Sequence, residues 1–164
     1  MKKLFLALTF CIILAFLCSC QNQKYGILKY QDEKINAECT LNGEYRISIK
    51  KDGDKKEISF LEPASLSHIS FAIDGESIIG RVGELEIPLE YTNARGIFAL
   101  SNIFSLSEEC LCTATSQGSC SSLEFRTDYG VYTLTLGKNN LPNTIQIYST
   151  DYRYDISIDA ITIS

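Results

Sequence analysis

Apolar and polar side chains alternate with a period of two in nearly every segment from Lys34 onward. This period is typical of β-strands with one buried and one solvated face, because successive side chains of a strand point to opposite faces. Ile35 to Leu41 begin the pattern, and Asn42-Gly43 then supplies a pair that favours the positive φ angles of a type I′ hairpin turn. The sequence therefore predicts a mainly β, antiparallel fold.

About ten such strands follow one another in consecutive hairpins, and the pattern is interrupted once. Between Asn93 and Leu106, apolar residues recur at spacings of three and four, which predicts one helix over about 94–106 with Asn93 as its N-cap. Antiparallel strands with a single helix do not form a βαβ core. They predict a strongly curved antiparallel sheet or incomplete β-barrel, with the helix against its concave face.

Two irregularities predict how particular strands are placed. Pro88 lies in the strand from Leu85 to Leu89, and proline has no N–H group for a strand ladder, so this strand is expected at a sheet edge. Late in the chain, Ile161 falls out of phase with Ile158. A β-bulge around Asp159-Ala160 would restore the alternation.

The N-terminal residues form a separate segment. Lys2 and Lys3 precede an uncharged, largely apolar stretch from Leu4 to Leu17, which predicts a secretory signal peptide over residues 1–19. The stretch is shorter than the roughly 20 residues that span a bilayer, which argues against a permanent transmembrane helix. Residues 20–33 are expected to form a polar tether, and 34–164 a single domain.

The end of the signal segment, Leu17-Cys18-Ser19-Cys20, resembles the bacterial lipobox. The resemblance implies cleavage before Cys20 and diacylation of its new N-terminus. The mature chain would then be anchored by lipid at the extracytoplasmic face of the cell membrane, or in the outer membrane of an organism that has one. The alternative is an ordinary signal peptide with cysteines there by chance.

Charge argues against a nucleic-acid partner. Removing Lys2 and Lys3 from the 15 basic residues leaves 13 against 20 acidic residues, a net charge of −7 for the mature chain. Binding to phosphates requires a basic patch. The only basic run, Lys50 to Lys56, is interleaved with acidic residues and is expected to be the solvated tip of a hairpin.

The order of elements resembles the LolA-like lipoproteins, the superfamily of the outer-membrane lipoprotein carrier. The matching segments are Phe60 to Pro63, Leu66 to Gly75 and, after the helix, Leu141 to Ile147. The resemblance implies an open antiparallel barrel whose helical lid encloses an apolar cavity. It implies no particular trafficking role.

An acyl chain or similar apolar ligand would then contact the inward-facing apolar residues of the sheet and helix. The residues expected to line the cavity are Leu41, Ile47, Ile49, Phe60, Phe71, Leu85, Ile87, Phe98, Leu100, Ile103, Phe104, Leu134 and Ile147.

Four further cysteines suggest disulfides, because an even number outside the cytoplasm is typical of such bonds. Cys112 and Cys120 flank a polar segment, and a hairpin centred on Ser116 would place them opposite each other. Cys39 and Cys110 are the other two candidates, and free thiols remain an alternative. The C-x-C spacing of Cys110 and Cys112 does not favour zinc, which usually takes C-x₂₋₄-C, so no metal site is expected.

No motif indicates an enzyme or a cofactor. His68 is the only histidine, no G-x-S-x-G elbow presents a nucleophile, and the glycines stand singly at turns rather than in a phosphate-binding loop. His68 is expected at the surface. We therefore expect a non-enzymatic, membrane-anchored lipoprotein that binds an apolar ligand or acyl chain. The alternative is a lipid-anchored envelope structural or protein-interaction module whose interior is fully packed.

Overall fold

The computed structural model describes residues 33–117, 120–137 and 140–164, and leaves the side chains of residues 116, 117 and 120 undescribed. Eleven antiparallel strands form one curved, unclosed sheet, and one α-helix lies against its concave face. The predicted fold class is confirmed.

The strands and the helix follow one another with short connections. In chain order they are β1 (Ile35–Leu41), β2 (Tyr45–Asp52), β3 (Lys55–Glu62), β4 (Ile69–Asp74), β5 (Ser77–Val82), β6 (Leu85–Leu89), α1 (Tyr91–Ser101), β7 (Leu111–Gln117), β8 (Cys120–Thr127), β9 (Gly130–Leu136), β10 (Pro142–Tyr148) and β11 (Arg153–Ile163). Single turns of 3₁₀ helix occur at Ala64–Leu66 and Glu108–Cys110.

The strand order is β6-β5-β4-β3-β2-β1-β11-β10-β9-β8-β7. Every pair of hydrogen-bonded strands is consecutive in the chain except β1 and β11, which join the two halves of the sheet. The chain leaves the sheet at one edge, β6, and returns at the other, β7. The segment that connects these two edge strands contains α1. The chain therefore crosses from one edge of the sheet to the other through the helix.

Local sequence signals account for the turns and the bulge. Asn42 and Gly43 have φ angles of 53° and 72°, and the Glu44 N–H donates to the Leu41 carbonyl at 3.1 Å, as a type I′ turn requires. Glu38 pairs with Ala160 while Cys39 pairs with Ile158, so Asp159 is the extra residue of the bulge. The predicted bulge and the predicted edge position of β6 are both confirmed.

The predicted helix boundaries and cap were wrong. The helix spans Tyr91–Ser101 rather than 94–106, and Glu90 rather than Asn93 occupies the N-cap position without a side-chain cap bond. The helix starts early because β6 ends at Leu89, one residue before the cap. Ile103 and Phe104 continue the apolar spacing past the helix, and they are buried from the turn that follows it.

The apolar alternation did not indicate the eleventh strand, β7, because its segment is mostly small and polar; only the hairpin expected for Cys112 and Cys120 placed a strand there. The hairpin between β7 and β8 is not centred on Ser116: Gln117 pairs with Cys120, and Ser116 pairs with Ser121. Cys112 lies at an irregularity near Phe125, far from the turn. This register does not place Cys112 opposite Cys120.

The core fills the concave side of the sheet. Inward-facing residues of β1–β5 and β8–β11 pack together with α1 and the turn after it in one cluster of buried side chains. Tyr132, Phe104 and Phe125 are the largest fully buried side chains in the described ranges. This packing holds α1 in place inside the curve of the sheet.

Candidate functional site

Most residues predicted to line a cavity are packed in the core instead. Nine of the thirteen are at most 5% exposed, which leaves them in contact with protein rather than with an open volume. They are Leu41, Ile47, Ile49, Phe98, Leu100, Ile103, Phe104, Leu134 and Ile147. The interior under α1 is therefore filled by side chains.

The other four predicted residues lie on the concave face toward the β6 edge, in β3, β4 and β6. Phe60 and Phe71 are partly buried, whereas Leu85 is 60% and Ile87 41% exposed. Val82, which faces the same side, is also 41% exposed. We call these five residues the open end.

Strand register places the open-end residues on one face. Ile87 pairs with Gly80, Gly80 pairs with Phe71, and Leu85 pairs with Val82. Directly opposite residues of antiparallel strands share a face, so these side chains point to the concave side. A methyl group at Gly80 would lie 3.6 Å from the Phe71 ring, which shows how closely the ring approaches the glycine backbone.

The covering helix is fixed at both ends. Near its C-terminus, the buried Tyr132 hydroxyl donates to the Ala99 carbonyl at 3.1 Å. At its first residue, the Tyr91 ring lies 6.2 Å from the Tyr129 ring between centroids, and Phe98 stacks on the same tyrosine at 6.0 Å. These contacts hold α1 against the concave face, where Val82, Leu85 and Ile87 stay exposed.

The lysine run was not the fully solvated hairpin tip that the sequence predicted. Lys51 is only 5% exposed, and Lys56, its direct cross-strand partner, is half-buried. Lys56 donates to the side-chain carbonyl of Asn102, which caps the C-terminus of α1. Burial, and next the charge of Lys51, lower the pKa of Lys56. Lys51 follows Ile47 and Ile49 in the alternation of β2, so it lies on the inner face. Its position in the strand, rather than its charge, determines its burial.

A groove of about 600 Å³ lies on the outer face of the sheet, and we call it the outer groove. Its charges are mixed and mostly paired: Lys34 contacts Asp52 at 2.7 Å, and Lys50 contacts Glu57 at 3.5 Å. Ile79 contributes an apolar, half-buried side chain to its wall. The outer groove is thus more polar and more strongly charged than the open end.

A second depression of about 580 Å³ lies between the turn after α1 and the β8–β9 hairpin, and we call it the polar pocket. Its lining consists of Asn102, Ser105, Leu106, Ser107, Cys110, Arg126, Thr127, Asp128 and Tyr129. No sequence motif pointed to it, because its residues come from two segments that meet only in the fold.

The described cysteines are thiols. Cys39 is fully buried, Cys110 half-buried and Cys112 exposed, and all three are free. Burial raises the pKa of Cys39 to about 12, with the charges of Asp159 and Glu38 adding to the effect. The side chain of Cys120 lies outside the described residues. Because Cys112 is free, the predicted disulfide between Cys112 and Cys120 is not formed.

Other predictions concern single features. Cys20 and the signal segment lie outside the described residues. His68 is exposed, as expected. Across residues 33–117, 120–137 and 140–164, no helix has the length and apolarity to cross a membrane, and no three His, Cys, Asp or Glu side chains are grouped as metal ligands would be.

Comparison with known proteins shows similarity at the level of structure. No family model and no curated protein matches the sequence. The fold is similar to that of an uncharacterized conserved protein from Thermus thermophilus, with a TM-score of 0.51 and 10% identity over 84% of this chain and 83% of that chain. A LolA superfamily protein from Nitrosomonas europaea is also similar, with a TM-score of 0.41 and 10% identity over 83% of this chain and 91% of that chain. The first similarity shows the fold alone, and nothing further follows from the second at that TM-score.

Proposed function

We propose that this protein is a non-enzymatic, lipid-anchored extracytoplasmic lipoprotein that binds an acyl chain or similar apolar ligand at the open end. The observation that carries the proposal is the exposure of Val82, Leu85 and Ile87 on the concave face. Large apolar side chains grouped on a surface are typical of interaction sites.

The edge position of these residues strengthens the proposal. Edge strands are usually protected by charged side chains, and β6 carries them only on its outer face, at Glu86 beside Pro88. Its inner face keeps Leu85 and Ile87 uncovered. The edge is therefore protected on one face and left apolar on the other, where Phe60 and Phe71 extend the surface.

An acyl chain suits this surface because its binding requires apolar contact and no particular polar partner. Each CH₂ group removed from water contributes about 0.8 kcal/mol, so even partial burial of a long chain gives measurable affinity. The lipid anchor rests on the lipobox resemblance at Cys20. The ligand would lie on the open end rather than in a deep cavity gated by α1, because the interior under α1 is packed.

The test is titration of the full chain with a fluorescent long-chain fatty acid. We expect saturable binding that weakens at least tenfold in the double variant Leu85→Asp/Ile87→Asp, since both side chains are exposed and the fold should tolerate the change. The control is Ile79→Asp, which adds a single carboxylate on the outer face of the neighbouring strand β5, and it is compared with the single variants Leu85→Asp and Ile87→Asp. Absence of uptake, or loss with Ile79→Asp alone, would contradict the proposed site.

The lipid anchor needs its own test, because ligand binding does not depend on it. Cells expressing the chain are fed a radiolabelled fatty acid, and the chain is recovered from membrane and soluble fractions. We expect label and membrane association to be lost with Cys20→Ser and kept with Cys18→Ser. Equal labelling of both variants would overturn the anchor.

A second function is favoured by the nine buried residues of the predicted cavity. A packed interior fits an envelope structural or protein-interaction module, whose open end would dock a protein rather than a lipid. The fatty-acid titration separates the two, because a protein-docking surface shows no saturable uptake of a single chain.

A further inference from the structure

The polar pocket has a lining unlike that of the open end. Residues with hydroxyl, amide and charged groups, Asn102, Ser105, Ser107, Arg126 and Asp128, surround it. Its volume of about 580 Å³ lies within the ~300–1,000 Å³ range of small-molecule sites. The pocket therefore offers several hydrogen-bonding groups in a space large enough for a small polar ligand.

One of these groups lacks a partner within the described part of the fold. The Ser105 hydroxyl oxygen is buried and makes no hydrogen bond. A buried polar group without a partner is destabilising by about 1–3 kcal/mol. Ser105 lies in the pocket lining. Rotation about its Cα–Cβ bond to another staggered rotamer would turn the hydroxyl toward a ligand, which would supply the missing hydrogen bond.

Tyr129 provides a rigid aromatic wall. Its ring stacks on Phe98, its backbone N–H donates to the Thr127 hydroxyl at 3.1 Å, and its carbonyl accepts from the Tyr152 hydroxyl. Burial, followed by the neighbouring Tyr91, raises the pKa of Tyr129, so its hydroxyl stays protonated at neutral pH. The wall thus offers a flat apolar surface, and its hydroxyl is engaged with Tyr91.

The charges of the pocket balance. Arg126 and Asp128 are the charged residues of the described lining, and both are exposed. A site with one charge of each sign favours neither anions nor cations. It suits a neutral ligand, because a guanidinium donates and a carboxylate accepts hydrogen bonds from the same hydroxyl groups.

We propose that the polar pocket binds a neutral polyhydroxylated ligand, one or two sugar units of a glycan. A sugar ring has a hydroxyl-bearing edge for Ser105, Arg126 and Asp128, and a C–H face for Tyr129. This site is separate from the open end, so the inference goes beyond the proposed acyl-chain binding and neither depends on the other.

The test is titration of the full chain with two neutral probes, a trimer of β-1,4-linked N-acetylglucosamine and maltotriose. Tyrosine fluorescence reports binding, because the chain has no tryptophan and Tyr129 lies at the site. We expect saturable binding of at least one probe, weakened about tenfold by Arg126→Ala and by Asp128→Asn. The control Arg153→Ala removes an exposed arginine on β11 and should leave affinity unchanged.

Ser105→Ala separates binding from folding. Because the hydroxyl has no partner in the described structure, its removal should leave the free energy of unfolding unchanged or raise it, while affinity for the sugar falls several-fold. Absence of saturable binding of both probes would overturn the proposal. So would binding that is indifferent to Ser105→Ala, Arg126→Ala and Asp128→Asn.

Discussion

Gly96 in α1 lies against the side chain of Tyr154 in β11. A methyl group added there would overlap the Tyr154 hydroxyl. Gly→Ala inside a helix usually raises the free energy of unfolding by about 1 kcal/mol. Because the added methyl group would overlap the Tyr154 hydroxyl, we expect this substitution to lower it instead. We predict that Gly96→Ala destabilises by about 1–3 kcal/mol in urea unfolding.

Two comparisons separate this overlap from a general effect of substitution in α1. Tyr154→Phe removes the overlapping oxygen and should restore much of the stability of Gly96→Ala. Asn93→Ala changes an exposed position that does not cap the helix, and it should be nearly neutral. A stabilising Gly96→Ala would show that the two elements do not approach as described.

Cys39 and Cys112 should differ in their reactivity. Cys39 is fully buried with a raised pKa, whereas Cys112 is exposed, and thiolate formation and access together determine alkylation. We predict that iodoacetamide at neutral pH modifies Cys112 within minutes and Cys39 only when urea unfolds the chain. Mass spectrometry of tryptic peptides measures both, and rapid modification of Cys39 in the native protein would contradict its burial.

The free energy of unfolding should fall at high pH, because burial of Cys39 disfavours its thiolate in the folded state. The pKa of Cys39 is raised in the folded state, to about 12 from an ordinary value of 9.0, so only the unfolded state releases its proton between these values. The stabilisation is fully present below pH 9 and is lost as pH rises toward 12. The buried Tyr132, whose pKa burial also raises, acts in the same direction above pH 10. Cys39→Ala should flatten the decline in unfolding free energy measured between pH 8 and about 11, and an unchanged slope would contradict this assignment.

The turn after α1 is as important to the core as the helix. Phe104 is 1% exposed, although it lies beyond the last residue of the helix. We predict that Phe104→Ala lowers the free energy of unfolding by about 3–5 kcal/mol, as expected for a buried aromatic. Tyr91→Ala, at a 40% exposed position of the preceding helix, should lower it far less. Similar losses for both variants in urea unfolding would show that the turn does not pack as described.

Local signals explain which elements could be predicted from the sequence. The period-two alternation, the Asn42-Gly43 turn, the Pro88 edge and the bulge at Asp159 each depend on neighbouring residues, and each is confirmed. The predicted helix boundaries were wrong because Ile103 and Phe104 continue the helical spacing of apolar residues but lie in the turn after the helix. Strand β7 was missed by the alternation because its side chains are mostly small and polar.

The candidate surfaces were less predictable than the strands. Alternation identified Phe60, Phe71, Leu85 and Ile87 as inward-facing, but not which inward positions α1 would cover, since that depends on long-range packing. The polar pocket brings Ser105 and Tyr129 together from distant segments, and no local pattern indicates such a meeting. The charge of Lys51 predicted a solvated side chain, whereas the alternation of β2 places this residue on the inner face.

At the scale of the molecule, the pairing of β1 with β11 joins the two halves of the sheet and puts β1 at its centre. The edges are β6 and β7, at the greatest distance from this junction. Central strands open only with global unfolding, whereas edges open locally. We predict that amide hydrogen exchange is slowest in β1 and fastest in β6 and β7. Faster exchange in β1 than in either edge strand would mean that the halves separate before the edges fray.

We propose that an acyl chain binds at the open end. It would not bind in the packed interior or in the outer groove. The most direct measurement is photo-crosslinking of the full chain with a diazirine-labelled fatty acid, followed by mapping of the modified residues by mass spectrometry. We expect adducts on Phe71, Val82, Leu85 and Ile87 when the modified residues are resolved one by one. Adducts on Ile79 and the outer groove, or no saturable labelling, would contradict it.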